Sequence, residues 1–135
     1  MINSYSTTSR TIAAEGVITF DANRIITGCT VIHTEGTPSF KLNNSGYYFV
    51  NFNCDVSGAT GDVTVQLLTN GIAVPGAEGP TTLTAATDTA NLSFSTIIKV
   101  LPSCSAIDNL QTLTFNNAGL EATFTNVNVV ITKLC

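Results

Sequence analysis

The amino-acid sequence predicts an all-β fold in which two antiparallel sheets, with about eight to ten strands between them, pack as a sandwich. Apolar residues recur at every second position in several segments, which is the period of a strand with one buried face. Turn residues separate these segments at intervals typical of a sandwich or barrel. Charged residues make up only 10% of the chain, and threonine, asparagine and serine, which suit strands and turns, take their place.

The polar N-terminal residues lie outside this alternating pattern. We expect residues 1–12 to form a flexible or partner-binding arm, followed by one sandwich domain over residues 13–135. A chain of 135 residues is long enough for one hydrophobic core. The first residues have neither the basic nor the apolar region of a signal peptide, so we expect synthesis in the cytoplasm without one.

The strand candidates follow one another along the rest of the chain, and no stretch has helical periodicity. The clearest is 47–56, in which alternate residues from Tyr48 to Val56 are apolar. Asn70-Gly71 is a strong hairpin signal because both residues tolerate positive φ. The Gly/Pro-rich segment 75–80 is expected to be a loop, and 21–23 a turn. The predicted strands are 16–20, 30–34, 39–42, 47–56, 62–69, 72–74, 81–85, 90–101, 110–115 and 122–134.

Two central segments carry a family resemblance. Residues 40–52, FKLNNSGYYFVNF, and 63–71, VTVQLLTNG, resemble the middle of the jelly roll of complement-type and tumour-necrosis-factor-type proteins. There, a short strand ends at a glycine turn, a strand that opens with two aromatics follows, and a further strand closes at Asn-Gly. The last segment, TNVNVVITKL at 125–134, resembles the terminal central strand of that superfamily.

Two further segments are similar to bacterial and phage members of this superfamily. They are NGIAVPG at 70–76 and TANLSFSTIIKV at 89–100. These members include the heads of collagen-like spore-surface glycoproteins, and capsid decoration and head-fibre proteins of phages of gut Firmicutes. The chain has no Gly-X-Y stalk, so a trimer would be held by the domain itself or by a partner.

The resemblance implies a homotrimer in which one sheet of each subunit packs around a threefold axis. The sequence offers a physical reason for this, because Tyr47 and Phe49 lie on the face of their strand opposite the core positions, and an apolar outer face requires a cover. In the last strand, the face opposite the core positions carries Asn126, Asn128 and Val130. The residues that we expect at the subunit interface are Tyr47, Phe49, Asn126, Asn128, Val130 and His33.

The sequence contains no recognisable catalytic, cofactor or metal motif. His33 is the one histidine, and Glu35 shares its strand face, but no nucleophile elbow accompanies them. We therefore expect no enzyme activity, no cofactor and no metal site built by a single chain. Two open alternatives are a polar contact of His33 at a subunit interface or at the surface, and a metal held by three copies of it at the threefold axis.

The charge pattern argues against nucleic acid and membrane as partners. The net charge is −4 and the five basic residues are dispersed, so no basic stripe is available for phosphates. The apolar runs are too short to span a bilayer. A sparsely charged sheet surface also favours self-association, because free monomers usually protect themselves with charge. Glycan binding stays open, although the chain has no tryptophan to mark a sugar site.

The four cysteines are far apart in the sequence. Cys54 lies in a strand pattern and is expected to be a small buried side chain. Cys29, Cys104 and Cys135 are candidates for a disulfide within or between chains, and free thiols are the default in a reducing cytoplasm.

Two function classes fit these observations. In the first, the protein is a structural component of a phage virion, a capsid decoration or head-fibre protein that attaches through residues 1–12 and ends on the virion surface. In the second, it is an adhesin or lectin head that binds glycans or a host surface, or a structural protein of a spore or cell surface.

Overall fold

The computed structural model describes residues 1–85, 87–100 and 111–134. These residues form eleven strands, and they contain no helix that is long and apolar enough to cross a membrane. The strands are β1 (Ile2–Ser6), β2 (Arg10–Ile12), β3 (Ala22–Ile26), β4 (Val31–Ile32), β5 (Phe40–Leu42), β6 (Gly46–Ser57), β7 (Gly61–Thr69), β8 (Ile72–Leu83), β9 (Ala90–Val100), β10 (Gln111–Asn117) and β11 (Ala122–Lys133).

The strands form two sheets, and every pairing is antiparallel. The front sheet has the order β3-β1-β11-β6-β9, with β2 added to the end of β11. The back sheet has the order β4-β5-β10-β7-β8. Strands from the two ends of the chain, β1 and β11, therefore lie side by side in the middle of one sheet. This arrangement confirms the predicted two-sheet antiparallel sandwich.

The core lies between the sheets and is rich in phenylalanine. The apolar positions of β6, from Tyr48 to Val56, are buried as their alternation predicts. Phe52 of the front sheet stacks on Phe115 of the back sheet, with ring centroids 4.9 Å apart. Phe20 packs edge-on against Phe40 at 5.1 Å. Such aromatic pairs add to the stabilisation that comes from buried area, and the contact of Phe52 with Phe115 ties the two sheets together.

The expectation that residues 1–12 form a flexible arm is wrong for the first strand. β1 lies between β3 and β11 and is hydrogen-bonded to both. Ile2 is fully buried in the core. Ser4 and Ser6 are also buried, and they donate hydrogen bonds to Asn23 Oδ1 at 2.5 Å and to Asp21 Oδ2 at 2.7 Å. The boundary expected between residues 12 and 13 therefore does not separate an arm from the sandwich.

Two turn and loop predictions are also wrong. Residues 72–83 form one strand, β8, although 75–80 reads as a loop. Proline is tolerated at the edge of a sheet, since an edge strand pairs on one side only, and β8 is the edge of the back sheet. The expected turn at 21–23 contains the start of β3. The expected strand at 16–20 is reduced to isolated bridges of Val17 and Phe20.

Candidate assembly and ligand-binding face

The outer face of the front sheet brings together most of the residues predicted at the interface. Residues directly opposite each other in an antiparallel pair point to the same side of the sheet. Phe49 of β6 lies opposite Ile97 of β9 and Thr132 of β11, and Val130 lies opposite Asn51. These side chains point away from the core, because both neighbours of Phe49, Asn51 and Val130 along the strand are buried, as are Ile98 beside Ile97 and Ile131 beside Thr132.

One end of this face is apolar. We call it the apolar end, and it consists of Tyr47, Phe49, Ile97 and Val130. Tyr47 is 42% exposed and Ile97 is 57% exposed, whereas Phe49 and Val130 are half-buried. The Lys99 ammonium lies 5.7 Å from the centroid of the Tyr47 ring. A contiguous apolar patch on a sheet of few charges is the type of surface that another protein surface covers.

His33 does not belong to this face. The side chain is 6% exposed, and its ring stacks on Phe40 with centroids 4.4 Å apart. Nε2 donates to the carbonyl oxygen of Thr37 at 2.9 Å, and Nδ1 lies 2.6 Å from Asn23 Oδ1. The ring is therefore enclosed by its own chain. The predictions of His33 at a subunit contact or at a threefold metal site are wrong for this reason.

The acidic and sulfur side chains do not form a metal site in the described ranges. No three His, Cys, Asp or Glu side chains lie together within residues 1–85, 87–100 and 111–134. The Glu35 carboxylate accepts a hydrogen bond from the Asn23 backbone N–H at 3.0 Å.

Cys54 is buried as predicted, and this burial, with a smaller effect of the Asp55 charge, raises the pKa of its thiol to about 12.

The disulfide prediction falls mostly on residues that are not described. Cys29 is exposed. Cys104 and Cys135 lie outside the described residues, so the pairing of Cys29, Cys104 and Cys135 stays a prediction.

A β-bulge in β3 aims Arg24 at the outer face. In the pairing of β3 with β1, Ile25 lies opposite Asn3 and Asn23 lies opposite Ser4, so Arg24 has no partner in the ladder. An extra residue of this kind increases the local twist and redirects a side chain. The Arg24 guanidinium lies over the ring of Tyr5 of β1, 4.7 Å from its centroid.

A second β-bulge lies in β11, in the same sheet. Thr125 pairs with Asp55 and Asn128 pairs with Asn53, so Asn126 and Val127 together face a single residue of β6. Asn126 has a φ of 53°, a left-handed conformation that asparagine tolerates better than most residues. Before the bulge the even-numbered residue Phe124 is buried, and after it the odd-numbered residue Val127 is buried. Because of the extra residue, Asn126 and Asn128 point outward, whereas a regular strand would bury them together with Phe124.

The two bulges converge on one depression, which we call the polar pocket. It has a volume of about 220 Å³. Asn3 Nδ2 donates to Asn128 Oδ1 at 2.7 Å, and Asn126 Nδ2 donates to Asp55 Oδ2 at 3.3 Å, so two of the amides are held in one orientation. The residues that line the pocket are Tyr5, Ser6, Thr7, Arg24, Asn53, Asn126, Val127 and Asn128.

Sequence reasoning placed Asn126 and Asn128 on this face but missed Tyr5 and Arg24. Both residues belong to strands that the alternating pattern does not reveal, β1 and β3. A role of Tyr47, Phe49, Asn126, Asn128 and Val130 in a subunit interface stays a prediction, although all five side chains lie on the same face of the front sheet.

No family model and no curated protein matches this sequence. Solved structures do match it. Murine APRIL is similar over 98% of this chain and 97% of its own, with a TM-score of 0.71 and 7% identity. Eiger, a TNF from S. frugiperda, is similar over 99% of this chain and 92% of its own, with a TM-score of 0.68 and 8% identity.

A phage protein has a similar structure as well. The PRD1 vertex protein P5 is similar over 99% of this chain and 96% of its own, with a TM-score of 0.60 and 16% identity. At these low identities the likeness concerns the fold. The resemblance that the sequence motifs predicted is confirmed at that level: the chain has the jelly-roll fold of tumour-necrosis-factor-like proteins, which a phage vertex protein shares.

Proposed function

We propose that this protein is a non-enzymatic homotrimer that serves as a structural component on the surface of a phage virion, as a capsid decoration or head fibre. The observation that carries the proposal is the apolar end of the front sheet, where Tyr47 and Ile97 are exposed beside Phe49. A second and a third copy of the chain would cover these side chains. The similarity in fold to a phage vertex protein supports a virion role.

The described residues also favour a role without catalysis. The single histidine is enclosed by its own chain and bonded to Asn23 and Thr37, so it is not presented to a substrate. A general base needs to lie within hydrogen-bond reach of the proton that it removes. A structural and binding role needs no such group.

Attachment to the particle must differ from what the sequence suggested. Because β1 is an internal strand of the front sheet, residues 2–6 are not free to act as a tether. We therefore propose that a capsid partner contacts a folded surface of the sandwich and that residues 2–6 do not act as the tether.

The trimer is tested by substituting an apolar side chain on the proposed interface. Ile97 is 57% exposed, so Ile97→Asp leaves the core of a single chain intact and places a charge where a neighbour would pack. The matched control is Ile72→Asp, because Ile72 is 71% exposed in the back sheet. In sedimentation velocity at micromolar concentration, Ile97→Asp is expected to sediment as a monomer and Ile72→Asp as a trimer. Trimeric Ile97→Asp, or loss of the trimer in both variants, would contradict the assigned interface.

A further inference from the structure

We propose that the polar pocket of the front sheet binds an acidic sugar, a monosaccharide unit that carries a carboxylate. Two β-bulges deliver its side chains: Arg24 is the unpaired residue of one, and Asn126 belongs to the other. Bulges are enriched beside binding and active sites, where they redirect side chains that a regular strand would place elsewhere. Two bulges that converge on one depression mark this part of the sheet as shaped for a ligand.

Arg24 supplies the group that recognises the carboxylate. The ion pair found among the described residues joins Arg10 and Asp21, so no described carboxylate neutralises Arg24. Its guanidinium lies against the Tyr5 ring, 4.7 Å from the centroid. Because this contact already restricts the side chain, less conformational entropy is lost when a ligand binds. A guanidinium matches a carboxylate with two parallel hydrogen bonds.

The asparagine side chains supply groups for hydroxyls. An amide both donates and accepts, as a sugar hydroxyl does. Asn53 makes no side-chain hydrogen bond with any described residue, and Asn128 uses only its oxygen, which accepts from Asn3, while its amino group donates to no described residue. A simple carboxylate would leave these amides without partners. A cavity of about 220 Å³ is smaller than the roughly 300–1,000 Å³ of sites for drug-sized ligands, and this size suits one sugar unit.

The charges around the pocket also fix how the sugar would lie. The Asp55 carboxylate accepts hydrogen bonds from Asn91 at 3.2 Å and from Asn126 at 3.3 Å. It would repel an anion at that side of the pocket. The carboxylate of the sugar therefore points toward Arg24, and its hydroxyls point toward Asn126.

The pocket and most of the apolar end lie apart on the sheet, and they adjoin only where Asn128 lies two residues from Val130. Tyr47 and Asn53 are both on β6 and are about 20 Å apart along the strand, at about 3.3 Å per residue. Arg24 and Tyr5 lie on the β3 and β1 side of the sheet, and Ile97 lies on the opposite edge strand, β9. The inference goes beyond the proposed trimer, and it requires that the neighbouring subunits leave Asn126 and Asn128 uncovered.

The test is an NMR titration of the full chain with four probes: N-acetylneuraminic acid, glucuronic acid, galactose and acetate. We expect saturable binding of at least one acidic sugar and much weaker binding of galactose and acetate. Arg24→Gln should weaken the binding of the acidic sugar about tenfold or more, because a hydrogen-bonded charge pair is lost. Lys41→Gln removes the same charge from the back sheet, where Lys41 is exposed, and should bind as the wild type does.

Several results would overturn the inference. They are the absence of saturable binding by both acidic sugars, equal binding by Arg24→Gln, and acetate or galactose binding as tight as that of the acidic sugar. Light scattering of Arg24→Gln provides a second readout. A trimer that dissociates in this variant would show that Arg24 faces a neighbouring subunit, and would also overturn the inference. A wild-type monomer that binds the acidic sugar would refute the proposed trimer but leave the pocket standing.

Discussion

The N-terminal strand is predicted to be part of the stable core, and Ile2→Ala tests this. Ile2 is fully buried, and its partner in the neighbouring strand, Ile26, is 55% exposed. The change to alanine removes three carbons at about 0.8 kcal/mol each, and the cavity left behind raises the cost to about 2–5 kcal/mol. Ile26→Ala removes the same carbons from a side chain that is more than half exposed, and should cost about 0.5 kcal/mol or less.

The assay is urea unfolding of the wild type and both variants at one protein concentration, because association with other copies would shift the apparent stability. The midpoint should fall clearly for Ile2→Ala and hardly at all for Ile26→Ala. Equal midpoints for the two variants would refute the reasoning, because they would show that β1 frays from β11 and that the first residues behave as the arm that the sequence suggested. A frayed strand would also dismantle the polar pocket, since Tyr5 lies on β1.

Two further predictions concern buried groups. Asn117 is fully buried; Nδ2 donates to the carbonyl oxygens of Ile12 at 3.0 Å and Leu120 at 2.7 Å, and Oδ1 accepts from Gly119 N–H at 3.1 Å. Asn117→Ala leaves these groups without a partner and should lower the free energy of unfolding by about 2–4 kcal/mol in urea; an unchanged midpoint would contradict this. For Cys54, burial raises the thiol pKa from 9.0 to about 12, so the unfolded chain loses this proton first as pH rises. Stability should therefore fall between pH 9 and pH 12, by up to about 1.4 kcal/mol per pH unit from this group. Cys54→Ala should show a shallower decline, and an identical slope would contradict the assignment.

Much of the sandwich could be predicted from the sequence because several strands bury one complete face. The alternation from Tyr48 to Val56 is uninterrupted, and each of its apolar positions is buried. The alternating pattern of apolar residues does not predict a strand whose buried side chains are polar. Ser4 and Ser6 are polar but buried, since Asn23 and Asp21 accept their hydrogen bonds. These partners lie 19 and 15 residues further along the chain, and the sequence around each serine does not reveal them.

The candidate face was only half predictable for a related reason. Tyr47 and Phe49 belong to one long strand, so their common outward direction follows from the period of two. The polar pocket depends on Arg24 and Asn126, and each lies at a bulge that interrupts this period. A bulge is visible only once the register with the partner strand is known, and in the front sheet the register of β1 with β11 joins the two ends of the chain.

The central claim is that sister copies of the chain cover the apolar end of the front sheet. The most direct measurement is the molar mass of the wild-type protein by light scattering at micromolar concentration, with and without a reductant. We predict three times the 14.1 kDa mass of the chain under both conditions, because the contact rests on the side chains of Tyr47, Phe49 and Ile97 and not on a disulfide. A monomer, or a trimer that the reductant disperses, would contradict the account.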